Sequence, residues 1–111
     1  MDPITYEDFA RVRIHVGRVV RAEDFPKARK PALKLWVDFG PLGVKKSSAQ
    51  ISRLYAPEAL LGRLVLAVLN FPPRQIADFM SEVLVLGVMQ DEQTIVLVGP
   101  DRDVPLGLRI L

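Results

Sequence analysis

The apolar and polar positions of this chain follow the period of two that strands require. Arg11-Val-Arg-Ile-His-Val16 alternates strictly, with Val12, Ile14 and Val16 on one face and Arg11, Arg13 and His15 on the other. That pattern reads as a half-buried strand. Gly17 interrupts it before Arg18-Val-Val-Arg-Ala22 resumes. A glycine inside a long strand predicts a bend or bulge there, which lets one strand serve two sides of a barrel. A second strand, Leu33–Phe39, puts Leu33, Leu35, Val37 and Phe39 inside and Lys34, Trp36 and Asp38 outside. After the hairpin chemistry of Gly40-Pro-Leu-Gly43 comes a third strand, Val44–Ile51. Its alternation is too poor to assign an inward set, and its polar density predicts one face against ligand or water.

Further on, Leu64–Leu69 and Val83–Met89 are apolar on both faces, and Thr94–Val98 nearly repeats this after the turn at Gln90–Gln93. Two short helices punctuate the strands. Thr5–Phe9 has a capping threonine, acids in its first turn and Asp8 close to a capping-box position, and is expected to close the mouth of a core. Pro57–Gly62 has proline at the first helical position and glycine just past the end.

Three strands with a kink in the first, a short helix and two more strands is the element order of an OB-fold. The expected class is therefore all-β with short helices: a five-stranded OB barrel with an N-terminal helix and C-terminal extension strands. At 111 residues and 50% hydrophobic, the chain suffices for one domain, residues 1–111, with a real core. No apolar run approaches the ~18 residues of a membrane span, so no membrane insertion is expected. The acidic start, Met1-Asp-Pro-Ile-Thr-Tyr-Glu-Asp8, is unlike a secretory signal. With no cysteine present, disulfides and thiolate metal sites are excluded, and a cytoplasmic protein is the simplest expectation.

An OB-fold binds across its second and third strands, between the first–second and fourth–fifth strand loops. Here those loops are Asp24–Ala32, bracketed by prolines and rich in cations, and Asn70–Ser81, stiffened by Pro72-Pro73. Charge changes the picture at this point. The net charge is only +2, yet Phe25–Pro57 holds Lys27, Arg29, Lys30, Lys34, Lys45, Lys46 and Arg53 against Asp38 alone. An anionic partner for that half follows. The groove floor is expected to be Lys34, Trp36 and part of Lys45–Gln50.

Enzyme chemistry finds little support, and no cofactor is expected. There is no Gly-rich phosphate loop, and Ser47-Ser48 lack an identifiable base. His15, the only histidine, reads as a surface or satisfied polar residue. Asp78 and Glu82 are close enough in sequence to pair, but their spacing does not require it.

At these residues the chain also resembles a known family. Asp8–Gly17, the Pro26–Lys30 loop, Pro57–Gly62 and Asn70-Phe-Pro-Pro-Arg-Gln-Ile76 with Ser81-Glu82 resemble the tRNA-binding domain appended to some methionyl- and phenylalanyl-tRNA synthetases. A longer set, Phe25–Pro31, Asp38-Phe-Gly40, Lys45–Ile51 and Asn70–Ala77, resembles the free-standing CsaA family over essentially the whole chain. The resemblance implies a homodimeric OB-fold protein, described both as an export-related chaperone and as a tRNA binder.

Two uses of the groove follow. For tRNA or another structured RNA, Lys27, Arg29, Lys30, Lys34, Lys45, Lys46 and Arg74 would hold phosphates. Trp36 or Phe79 would stack a base, and Gln50, Asn70, Ser81 and Glu82 would read base edges. For unfolded preproteins, and with them the export machinery, the groove or a dimer cleft lined by Phe71, Ile76, Phe79 and Met80 would take an extended apolar, positively charged segment. A dedicated tRNA-binding protein or synthetase-assisting factor without a chaperone role is the alternative. The doubly apolar strands predict a homodimer that covers their outer faces, since the tail Val104–Leu111 is too short to cover all of them.

Overall fold

A computed structural model describes every residue from Met1 to Leu111. Helix α1 spans Tyr6–Ala10 and α2 Pro57–Leu60, and the long strands are β1 (Ile14–Asp24), β2 (Leu33–Asp38), β3 (Val44–Ala49) and β4 (Leu64–Val68). Short strands follow: β5 (Arg74–Ile76), β6 (Phe79–Ser81), β7 (Leu84–Val85), β8 (Gly87–Asp91) and β9 (Thr94–Leu97). One antiparallel sheet runs in the order β3-β2-β1-β4-β7, and β5–β6 and β8–β9 are separate hairpins. The residues just before β7 bring the sheet round to β3, where the Glu82 and Val83 N–H groups donate to the Lys46 carbonyl at 2.8 and 3.2 Å. The result is the nearly closed five-stranded OB barrel that the element order predicted.

The expected break in β1 lies elsewhere than at Gly17. Gly17 pairs regularly with Val65, and a Cβ on it would stand 2.6 Å from Val37 Cγ1 and 2.7 Å from the Phe39 ring. It is glycine because core side chains pack onto its backbone. The bulge falls at Val20, where the register with β2 slips between Val19 and Arg21. This extra residue reverses which side chains face in. Before it His15, Gly17 and Val19 point inward, opposite Ala67, Val65 and Val37. After it Ala22 lies opposite Leu35, while Arg21 lies opposite Trp36 on the outer face. Val16, buried all the same, and Ile14 therefore belong to the outer face. As expected, β1 serves two sides, pairing with β4 over Ile14–Arg18 and with β2 over Arg18–Asp24.

Leu33, Leu35, Val37 and Phe39 fill the barrel as the alternation required, with Val19, Val65, Leu60 and Ile51 around them. Each fully buried side chain of this size contributes about 1.5–3 kcal/mol. Leu60 of α2 is wholly buried, whereas α1 buries no residue. Helix α1 is therefore no plug for the core, although Thr5 and Asp8 do form a complete capping box. The inward set of β3 is Ser47 and Ala49, continued by Ile51.

The apolar run Val83–Met89 is two strands rather than one. β7 pairs with β4, the Leu86 N–H still donates to the Leu66 carbonyl at 2.8 Å, and from Gly87 the chain turns out into the β8–β9 hairpin. Leu84, Val88 and Met89 are consequently exposed. The tail folds back along its own β1: Leu108 O accepts from Val16 N–H at 3.0 Å, and the Ile110 N–H donates to Ile14 O at 2.8 Å. The buried His15 ring is satisfied by this tail, Nδ1 lying 2.8 Å from Gly107 O.

Candidate nucleic-acid interface

The outer face of β2 and β3 follows from their register. Trp36 lies opposite Lys46 and Lys34 opposite Ser48, so these four share a face, with Arg21 and Glu23 of β1 beside them. Lys45 lies opposite the buried Val37 and shares its side of the strand with Ser47. Consecutive strand residues point to opposite faces, so Lys45 is separated from the floor on which Lys46 stands.

The Asn70–Ser81 loop is a hairpin laid over this face rather than an irregular connection. Its Phe79 is buried with Phe25 and Ala32, and Ile76, Trp36 and Ala28 pack around them. Phe79 meets Phe25 edge-on at 5.5 Å and Trp36 at 5.7 Å between ring centroids. Trp36 is thereby half-buried. The Arg21 guanidinium lies over the Trp36 ring at 4.2 Å, and Lys46 stands 5.2 Å from the Phe79 ring. Lys34 lies over Phe25 and Phe79 at 5.4 and 5.7 Å. Cations are drawn to aromatic faces, so this arrangement holds three positive heads over an apolar floor. A base that stacks on the Trp36 face under Arg21 must displace that guanidinium.

The two loops bounding the face touch. Lys27 Nζ of the first donates to Asp78 Oδ2 of the second at 2.9 Å. That hydrogen bond, reinforced by charge attraction, raises the Lys27 ammonium above its ordinary pKa. The same bond holds the Asp78 carboxyl below the usual range, against an opposing cost of desolvation. Glu23 pairs with Arg21 and, at 3.8 Å, with Lys34. Arg29, Lys30, Lys45, Lys46 and Arg74 have no carboxylate within ion-pair distance.

Three of the expected base readers hold backbone groups instead. Asn70 accepts from Arg13 N–H at 3.0 Å and donates to Arg11 O at 2.7 Å, fixing the entry to β1. Ser81 Oγ accepts from Ser48 N–H at 3.0 Å, and Glu82 Oε1 from Lys46 N–H at 2.9 Å. Both complete the hydrogen bonding of β3 where the barrel closes, which a sequence does not reveal until the open strand edge is known. Glu82 therefore has no pairing with Asp78. Gln50 is exposed and lines a cleft of about 700 Å³ beside Phe71, Arg74, Leu84, Met89 and Ile95. Of the residues expected to line an apolar cleft, Phe71 and Ile76 do so. Phe79 is buried in the aromatic cluster, and Met80 lies outside the lining. Arg21 and Glu23 went unnoticed in the sequence because the Val20 bulge decides that they face Trp36 and Lys34.

A barrel with a basic, aromatic-floored β2–β3 face between two joined loops is an OB-fold of the kind that many nucleic-acid binders use. Comparison with known proteins carries this further. Residues 14–109 match the family described as "Putative tRNA binding domain". The chain is similar to the chaperone CsaA of Bacillus anthracis, with a TM-score of 0.95 and 45% identity over 99% of this chain and 100% of that one. The CsaA chaperone protein of Picrophilus torridus gives a TM-score of 0.90 and 45% identity, over 98% and 100%. Among curated proteins, methionine–tRNA ligase 1 of Sorangium cellulosum is 38% identical over 96% of this chain, and the Methanocaldococcus jannaschii ligase is 33% identical over 99%. This chain spans only 15% and 17% of those two enzymes' lengths. The chain belongs to the tRNA-binding-domain family and, within it, to the CsaA group.

Proposed function

We propose that this protein binds tRNA or another structured RNA, without catalysis or cofactor, across the outer face of β2 and β3. The observation that carries the reading is the set of unpaired cations around a fixed aromatic floor: Lys46 on the floor, Arg29 and Lys30 on one loop, Arg74 on the other. They offer phosphate contacts, while Gln50 and Ser48 remain at hand for polar contacts to bases or riboses. Residues 1–111 act as one tRNA-binding-type OB domain in this reading, and the protein works in the cytoplasm. The test is tRNA affinity against salt. Log K should fall linearly with log salt, and Lys46→Ala should weaken binding and lower the slope by up to about one unit. Binding that ignores salt contradicts the reading.

A second activity, as a chaperone for unfolded preproteins destined for export, is favoured by the cleft beside Phe71, Leu84 and Met89. Apolar, exposed and containing a flexible methionine, it suits extended segments of varied sequence. The exposed Leu84, Val88 and Met89 also favour a homodimer, because the tail uses its backbone on β1 and leaves this patch open. Val88→Asp should then yield monomers in light scattering. Suppression of aggregation of an unfolded substrate, lost in Leu84→Ser, tests the chaperone role.

A further inference from the structure

One cation of this face already has an acidic partner. Asp78 joins Lys27 across the two loops, and no other cation of the Phe25–Ala32 loop has a carboxylate partner. Its position is built rather than incidental. Asp78 follows Ala77, the one non-glycine residue with positive φ (50°), at the tip of the β5–β6 hairpin. Backbone in that region is disfavoured for alanine and persists where surrounding contacts impose it. Here Gln75 Nε2 donates to Ala77 O at 2.7 Å on one side, and buried Phe79 anchors the other. A held turn therefore presents the carboxylate to Lys27.

We propose that Asp78 occupies the place of a phosphate at Lys27 and so sets the affinity and salt dependence of RNA binding. The inference rests on the RNA-binding reading above. A carboxylate and a phosphate offer an ammonium the same anionic oxygen acceptors, and both partners here are largely exposed, with 69% and 58% of their side chains accessible. Exposed pairs of this kind exchange readily, because water screens them. Incoming RNA displaces Asp78, which then takes up a counterion from solution. Net ion release at Lys27 is thereby cancelled, and the unpaired carboxylate repels neighbouring phosphates.

The experiment is a double-mutant cycle with fluorescently labelled tRNA, measured by anisotropy from low to moderate salt. Wild type, Asp78→Asn, Lys27→Met and the double variant are compared, with Glu58→Gln on α2 as a control of equal charge change. Asp78→Asn should tighten binding two- to tenfold, well beyond the control, and steepen the salt slope by up to about one unit. Lys27→Met should weaken binding more in the Asp78→Asn background than in wild type. Unchanged or weaker binding by Asp78→Asn, or an equal Lys27→Met effect in both backgrounds, overturns this proposal alone. If no variant binds tRNA at any salt, the RNA reading fails with it.

Discussion

Phe79→Ala tests whether the β5–β6 hairpin is held to the barrel by one aromatic anchor. Phe79 is 6% exposed and is the one ring in contact with both Phe25 and Trp36. Truncating a buried phenylalanine costs about 3–5 kcal/mol when a cavity remains. Here the cost should fall near the lower end, because the cluster lies under a surface hairpin that can collapse or admit water. Each aromatic pair lost accounts for roughly 0.5–1.5 kcal/mol of that beyond simple burial. For a chain of this size, a loss of ~3 kcal/mol lowers Tm by about 10 °C or more. Thermal unfolding by circular dichroism measures the loss. Trp36, the only tryptophan, reports the local effect, and its emission should shift to the red in the folded variant as Phe79 uncovers it. A Tm within 2 °C of wild type together with unchanged emission would refute the reasoning.

The remaining predictions concern the barrel and the loop contact. Gly17→Ala forces a methyl into Val37 and Phe39, and overpacking of this kind costs about 1–3 kcal/mol; chemical denaturation should show it, and an unaffected midpoint would contradict the packing argument. Ser47 Oγ is buried without a hydrogen-bond partner, so Ser47→Ala should be neutral or stabilising by up to about 1 kcal/mol, and a clear loss of stability would mean that the hydroxyl is satisfied. Because the Asp78 pKa is lowered, its contribution is present above the ordinary 3.8 and disappears as pH falls through the lower folded value. The raised Lys27 contributes below its ordinary 10.5 and loses that contribution as pH rises through the higher folded value. An NMR titration of the Asp78 carboxyl carbon should therefore give a midpoint below 3.8 that moves up in Lys27→Met; a midpoint at or above 3.8 in wild type would contradict the pair.

What the sequence revealed depended on whether a residue's role was local. The alternation of Leu33, Leu35, Val37 and Phe39 set the face of β2 because nothing interrupts it. The Thr5 cap of α1 and the proline at the start of α2 were legible for the same reason. The face of β1 was not: ahead of the bulge His15 and Gly17 turn inward while Ile14 and Val16 lie outside, where the tail bonds to their backbone, and the extra residue at Val20, unmarked in the sequence, reverses the order beyond it. Gly17 was rightly singled out but for the wrong reason: its constraint comes from Phe39 and Val37, distant in sequence. Asn70, Ser81 and Glu82 looked like ligand groups because they lie in a proline-stiffened loop carried between two strands; their backbone partners become visible only once the barrel closes. Lys45 and Lys46 looked equivalent on composition, and strand parity separates them.

Contact between RNA and the outer face of β2 and β3 is read residue by residue by chemical-shift mapping on ¹⁵N-labelled protein titrated with tRNA. The largest changes should fall at Arg29, Lys30, the Trp36 indole, Lys46, Ser48 and Arg74, with little change at Glu58 and Leu60 of α2. Changes centred on α2, with the β2–β3 face undisturbed at saturation, would contradict it.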